Sequence, residues 1–147
     1  MLPLMVLYAK DILEKEFISL PRRATVLDAA KVMRDRHHGF AIVVSAEGSP
    51  EGIVTEWDVL AHVVAEARNP AEVYLEDIMS RSLVSVDVAV GIGQVAQTMS
   101  QRGTRRVLVT KDGKIVGIIQ ARTILAHMKE YIDRLSAQIA RTQPPMF

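Results

Sequence analysis

Thr55 and Asp58 stand three residues apart, where an apolar run gives way to a segment with helical spacing. A carboxylate in the first turn of a helix can accept hydrogen bonds from two neighbouring hydroxyls, so Asp58 is a candidate ribose ligand. Thr55 would lie near the helix N-terminus, where backbone N–H groups and a hydroxyl suit a phosphate. The alternative is structural, with Thr55 or Glu56 capping the helix and Asp58 complementing its dipole. The motif alone is compatible with both roles.

The frame around these two residues occurs twice in the chain. GIVTEWDVLAHV at positions 52–63 is followed 65 residues later by GIIQARTILAHM at positions 117–128. A unit of about 60 residues buries its apolar faces poorly alone, which predicts two copies packed face to face about a pseudo-twofold axis. We expect the first repeat, with an N-terminal arm, over residues 1–74. The second repeat, with an extended C-terminal helix, is expected over residues 75–147.

The apolar spacing and turn signals within each copy predict a short helix, a short strand, a longer helix, a β-hairpin and a final helix. Asp112-Gly113 is a strong two-residue hairpin turn signal, and Asn69-Pro70 is expected to end the final helix of the first copy. The last helix runs past the repeat with one apolar stripe. It therefore either folds back onto the module or meets another chain. The stripe consists of Ile124, Leu125, Met128, Ile132, Leu135 and Ile139.

The pattern Gly-h-h-Thr-x-x-Asp at positions 52–58 (h, apolar), within a tandem repeat of this element order, resembles a CBS-domain pair, also called a Bateman module. The resemblance covers about residues 9–128, and the second copy departs from the pattern at both polar positions. It implies a mixed α/β (α+β) fold of two tandem β-α-β-β-α repeats packed through their sheets. It also implies ligand clefts between the repeats. Each cleft takes the Thr and Asp of one repeat and strand and loop residues of the other.

Carried onto this sequence, the resemblance implies one well-equipped cleft, with Asp58 on the ribose. Arginine makes forked, charge-assisted bonds to phosphate, which suits the cations expected there. The phosphate-binding residues implied are Thr55, Arg105, Arg106 and Arg122, and the adenine-binding residues are Ile53, Leu83, Val84 and Thr104.

The second cleft has different residues at the matching positions. Gln120 and Thr123 replace the hydroxyl and the acid, Gly39 and Phe40 replace two arginines, and Trp57 stands where the other cleft has Arg122. The hydroxyl, the acid and the arginines expected to hold a nucleotide are therefore all missing from the motif positions of the second cleft. This predicts one main nucleotide site per chain. His38 remains near the second cleft, so weak binding there stays open.

Composition narrows the function. The formal net charge of +1 gives no bulk electrostatic reason for nucleic-acid binding, and no apolar run is long enough to span a bilayer. The absence of cysteine excludes disulfides and thiolate metal sites. We expect a cytoplasmic, non-enzymatic regulatory sensor without cofactor or metal. It would form a homodimer and act on an unidentified partner protein.

The expected ligand is an adenine nucleotide, AMP first and ADP or ATP as alternatives. Three arginines argue against S-adenosylmethionine, whose sulfonium is cationic. The competing interpretation is a ligand-free module for dimerisation or protein interaction.

Overall fold

The computed structural model describes residues 7–142, so the expected N-terminal arm at positions 1–6 lies outside the described residues. The helices are α1 (Ala9–Ile12), α2 (Val26–Arg36), α3 (Glu56–Val59), α4 (Leu75–Ile78), α5 (Ile92–Arg102) and α6 (Ala121–Thr142). The strands are β1 (Ser19–Pro21), β2 (Phe40–Val44), β3 (Pro50–Thr55), β4 (Ser85–Asp87), β5 (Arg106–Lys111) and β6 (Lys114–Gln120). A π-helical turn (Leu60–Val64) continues α3, and a 3-10 turn (Pro70–Glu72) follows it. This order confirms the predicted repeat of elements.

The described residues form two three-stranded sheets with the same topology. In each sheet the first strand runs parallel to the second, and the second pairs with the third as an antiparallel hairpin. Buried Phe40 and Ile42 of β2 pack against Leu108 of β5 and Ile118 of β6. The two sheets therefore meet face to face, as the repeat predicts.

The two repeats exchange their leading helices. Ala9 and Ile12 of α1 lie in the core of the second repeat, and Leu75 and Ile78 of α4 lie in the core of the first. The segments that follow these helices pair with the opposite sheet, through bridges between positions 14 and 118 and between positions 53 and 80. The division at residues 74 and 75 thus stays a prediction about the sequence repeat, because each core contains a helix from the other repeat.

These crossings explain the glycine that opens each copy of the motif. A Cβ at Gly117 would lie 2.6 Å from Leu13 Cδ1 and 2.8 Å from the Glu14 carbonyl oxygen. A Cβ at Gly52 would lie 2.6 Å from Met79 Sδ and 2.9 Å from the Ser80 carbonyl oxygen. Glycine is required because the crossing backbone passes too close for a side chain.

Two local predictions have different outcomes. The hairpin turn is confirmed, with Asp112 at φ 53° and Gly113 at φ 78°. The final helix of the first repeat ends earlier than predicted. Its last turn widens, with Ala65 N donating to Leu60 O at 2.9 Å, and Ala67 then adopts a left-handed φ of 51°. Asn69 instead caps the following 3-10 turn.

Helix α6 extends away from the core. Ile124 is buried at 4% exposure, whereas the rest of the predicted stripe is 38–66% exposed. The described helix therefore does not fold its whole stripe onto the module. Within residues 7–142, no helix is long and apolar enough to cross a membrane.

Candidate ligand clefts between the repeats

Thr55 and Asp58 form a capping box at the start of α3. Asp58 Oδ2 accepts from Thr55 N at 2.8 Å and from Thr55 Oγ1 at 3.0 Å, and Asp58 N donates to Thr55 Oγ1 at 3.3 Å. Asp58 Oδ1 lies 4.0 Å from His62 Nε2, and the Asp58 side chain is 16% exposed. The structural role considered from the sequence is therefore present. It engages mainly one carboxylate oxygen, so Oδ1 retains capacity for a hydroxyl.

The four adenine-binding candidates lie around one small cavity. Ile53 of the first repeat and Leu83, Val84 and Thr104 of the second line it together with Arg106. Thr104 Oγ1 donates to Arg106 O at 3.0 Å and accepts from Arg106 N at 3.2 Å, which fixes the start of β5. The cavity measures about 40 Å³, room for small molecules such as water but not for a purine. A base can enter only if these walls open.

The three candidate arginines lie around a larger central cavity of about 450 Å³. Arg105 and Arg106 begin the second hairpin, and Arg122 lies in the first turn of α6. Burial lowers the pKa of Arg106, and the charges of Arg105 and Arg122 lower it further while Glu56 opposes them. The cavity therefore holds three positive charges that repel one another, beside the acids Glu14 and Glu56, and an anion bound among the arginines would reduce that repulsion.

Arg106 connects the cavities. Its guanidinium lies over the Phe40 ring at 4.7 Å, a cation–π contact between the repeats. Its Nε is buried without a hydrogen-bond partner among the described residues. The same side chain lines the small cavity, the central cavity and a shallow groove that also contains Thr55, Trp57 and Arg105. Arg106 is thus common to the linings of the two cavities and the groove.

The sequence predicted that the three arginines gather in the cleft of Asp58, and the structure distributes them differently. Arg122 lines the central cavity but not the groove that contains Thr55. The central cavity is also lined by Gly39, Phe40 and Gln120, the residues of the second cleft. In the described part of the chain, Asp58 lines none of the three cavities. The central cavity therefore joins residues expected in both clefts, and its lining combines the three arginines with the acids Glu14 and Glu56.

The second cleft contains an acid that sequence reasoning missed. Glu14, which follows α1, accepts a hydrogen bond from Gln120 Nε2 at 3.0 Å and another from Thr123 Oγ1. The prediction that polar groups are missing there was made from the motif positions, whereas Glu14 comes from the first repeat and lies outside the motif. A signal was present in the sequence: at the offset of 66, Glu14 matches Ser80, so an acid stands where the other copy has a hydroxyl.

His38 faces the central cavity from the first repeat. Its Nδ1 is buried without a hydrogen-bond partner in residues 7–142. Beside it, the Gly39 carbonyl accepts from Glu56 N at 3.0 Å, and the Arg105 carbonyl accepts from Ala121 N at 2.9 Å. These equivalent bonds fix the start of α3 and of α6 against the hairpin of the same repeat.

Sequence comparisons find relatives that are longer than this chain. An uncharacterized protein of Methanopyrus kandleri is 30% identical over 116 residues, which are 78% of this chain and 59% of that protein. An uncharacterized protein of Methanocaldococcus jannaschii is 29% identical over 113 residues, 76% of this chain and 61% of that protein. The chain therefore spans about three fifths of the length of these relatives.

Solved structures share the fold. The CBS domain pair of protein MJ0100, in complex with 5′-methylthioadenosine and S-adenosyl-L-methionine, matches with a TM-score of 0.76 and 26% identity, over 86% of this chain and 98% of that chain. A hexameric CBS-CP12 protein from bloom-forming cyanobacteria matches with a TM-score of 0.74 and 27% identity, over 95% and 88%. An uncharacterized conserved protein from Pyrococcus horikoshii has a TM-score of 0.77 and 24% identity, over 85% and 94%.

The CBS domain family matches the sequence twice, over residues 9–65 and 75–130. Each matched segment begins at a leading helix, the first at α1 and the second at α4. The chain belongs to the CBS-domain family, as a tandem pair of CBS domains.

Proposed function

We propose that this CBS pair is a regulatory module that binds an adenine nucleotide, AMP in preference to ADP or ATP, without catalysis of its own. The observation that carries the proposal is the placement of Arg106. It lines the small cavity of the four adenine candidates, the groove of Thr55 and the central cavity of Arg105 and Arg122. A nucleoside phosphate carries a base and an anion joined by a ribose, so one such molecule would contact more than one of the spaces that Arg106 lines.

The comparisons support the adenosine part of the ligand. The CBS pair of protein MJ0100 was solved with two adenosine derivatives, 5′-methylthioadenosine and S-adenosyl-L-methionine. The chain's own charges support the phosphate. Burial lowers the pKa of Arg106, the charges of Arg105 and Arg122 lower it further, and an anion between the three arginines would stabilise their charged forms. We propose one main site per chain, with Asp58 on the ribose.

The test is calorimetric titration of the full chain with AMP, ADP, ATP, GTP, 5′-methylthioadenosine and S-adenosylmethionine. Hydrogen bonds to charged groups contribute about 1.5–3 kcal/mol each, so AMP should bind at least about tenfold more tightly than 5′-methylthioadenosine. Equal affinity for AMP and 5′-methylthioadenosine would show that the phosphate does not contribute to binding and would contradict that part of the proposal.

A ligand-free interaction module is the second candidate. It is favoured by the engagement of Asp58 in the capping box and by the small volume of the base cavity, about 40 Å³. No heat and no thermal shift with any adenine ligand would establish this alternative over the first.

We also propose that two copies pair through α3 and α6. Both helices begin at equivalent strand ends and expose apolar side chains. Trp57 projects from α3, and Leu60 and Val64 project from the π-helical turn that continues it. Leu125, Met128 and Ile132 project from α6, and all six side chains are 49–68% exposed. An exposed apolar face of this kind is typical of an interaction surface. Sedimentation equilibrium should give twice the monomer mass of 16.3 kDa, and a monomer at high concentration would contradict pairing.

A further inference from the structure

Glu56 is the first residue of α3 and lies where two of the spaces between the repeats meet. Its side chain lines the central cavity together with Arg105, Arg106 and Arg122, and it also lines the shallow groove that contains Thr55. Glu56 is exposed, and the ion pairs among the described residues do not include it. Its carboxylate is therefore a negative charge beside the arginines that no ion pair in residues 7–142 engages.

The Glu56 carboxylate lies against the backbone of Gly39. A Cβ at Gly39 would lie 2.6 Å from Glu56 Oε1, and Glu56 N donates to the Gly39 carbonyl oxygen at 3.0 Å. The equivalent pair in the second repeat is Arg105 and Ala121, joined by the same backbone bond at 2.9 Å. The charged residue and the small residue have exchanged places between the repeats. At this contact the first repeat therefore contributes an acid to the central cavity, and the second repeat contributes a cation.

The charge of Glu56 acts on Arg106, the side chain common to all these spaces. Burial lowers the pKa of Arg106, the charge of Arg105 lowers it further, and the charge of Glu56 raises it. An acid that stabilises this guanidinium must also repel an anion bound beside it, more strongly with each further negative charge. The other acid of the cavity, Glu14, differs because its carboxylate already accepts two hydrogen bonds from neighbouring side chains.

We propose that Glu56 is a specificity-determining residue, which limits the negative charge that the three arginines accept and so favours a nucleoside monophosphate over a di- or triphosphate. AMP carries about two negative charges at neutral pH, and each further phosphate adds about one. At a separation of about 8 Å in a water-like dielectric, each added charge is disfavoured roughly two- to threefold. The inference rests on the proposed function for the base and the ribose, and deepens it by naming the residue that sets the phosphate number.

The test is calorimetric titration of the wild-type chain and of Glu56→Gln with AMP, ADP and ATP. Divalent metal is left out, because it would neutralise the added phosphates. Glu56→Gln should raise the affinity for ATP about fivefold more than the affinity for AMP, with ADP between them. The matched control is Glu66→Gln, which removes the same charge from an exposed residue that lines none of the described cavities. It should leave the ratio of the AMP and ATP affinities unchanged.

A charge-conserving variant separates the charge of Glu56 from the shape of its side chain. Aspartate is also suited to the first turn of a helix, so Glu56→Asp should fold like the wild type. It should keep most of the preference for AMP over ATP, because it keeps the negative charge beside Arg106. If Glu56→Asp loses the preference as fully as Glu56→Gln, the charge is not what discriminates and the inference is wrong.

The outcomes distinguish this inference from the proposed function. If AMP binds and Glu56→Gln has the same ratio of AMP and ATP affinities as the wild type, the specificity role is overturned and the proposed function stands. If no adenine ligand binds the wild-type chain, the proposed function fails, and titration with pyrophosphate and tripolyphosphate decides the role of Glu56. Tripolyphosphate should then bind Glu56→Gln more tightly than the wild type, and equal or absent binding would overturn this inference as well.

Discussion

Replacing Asp58 by asparagine separates the two roles that this residue can have. The amide oxygen of asparagine can still accept from Thr55 N, which Asp58 holds at 2.8 Å, so the capping box is weakened but not removed. The lost charge at the helix N-terminus costs about 0.3–1 kcal/mol. For a chain of this length that lowers Tm by about 1–4 °C.

The chain contains its own control for this loss of stability. Asp28 forms the same capping box with Thr25 at the start of α2, accepting from Thr25 N at 3.3 Å. That bond is longer than the one made by Asp58, so Asp28→Asn should destabilise the protein by a similar or slightly smaller amount. Asp28 lines none of the cavities described between the repeats.

The two variants should differ in AMP binding. The hydrogen bonds from ribose hydroxyls to a charged acceptor predict a loss of about 1.5–3 kcal/mol for Asp58→Asn, roughly tenfold to 150-fold in Kd. Asp28→Asn should bind AMP like the wild type. Calorimetric titration gives the Kd, and thermal unfolding without ligand gives the Tm. If both variants bind AMP as tightly as the wild type, Asp58 is only a helix cap and the site assignment is wrong.

Three further predictions concern the crossing segments and the exposed helices. Gly117→Ala should destabilise the protein by about 1–3 kcal/mol in chemical denaturation, because its Cβ would lie 2.8 Å from the Glu14 carbonyl oxygen. Gly93→Ala, which meets nothing within 4 Å, should be neutral or slightly stabilising. Trp57, the single tryptophan, lies 68% exposed beside the groove, so AMP should change its fluorescence and GTP should do so less. Ile132→Asp should shift sedimentation toward the monomer without lowering the monomer's Tm; an unchanged dimer would exclude this face of α6.

The sequence was sufficient for the parts of the fold that local rules determine. The Asp112-Gly113 turn, the repeated strand–helix order and the face-to-face packing follow from turn chemistry, an internal repeat and apolar spacing. The end of the helical segment that begins with α3 could not be predicted from the sequence, because the π-helical turn at Leu60–Val64 has no residue signature. Asn69-Pro70 was wrong as the end of the helix, because the pair begins the following 3-10 turn.

The site was predictable only as a set of candidate residues. Ile53, Leu83, Val84 and Thr104 line one cavity. The Arg106 side chain also lines it, and no sequence pattern specifies the position of that side chain. Glu14 was missed for a topological reason. Its relation to Gln120 and Thr123 exists only because α1 crosses to the other repeat, and the interval of 106 residues between Glu14 and Gln120 carries no local pattern.

The positions of the acids suggest how a bound ligand would reach the exposed helices. Asp58 lies in the first turn of α3, one residue from exposed Trp57, and Glu14 is hydrogen-bonded to the first turn of α6 beside exposed Arg122. A ligand that binds Asp58 therefore contacts the start of α3, and a ligand in the cavity lined by Glu14 lies beside the start of α6. We propose that the outer faces of these two helices pair with a second copy. Because binding linkage is reciprocal, AMP must then change the dimer dissociation constant by the same factor by which dimerisation changes AMP affinity. Sedimentation at a series of protein concentrations, with and without saturating AMP, measures that factor. Identical dimer dissociation constants would mean that the clefts and the helix faces act independently, and that the module reports its ligand by another route.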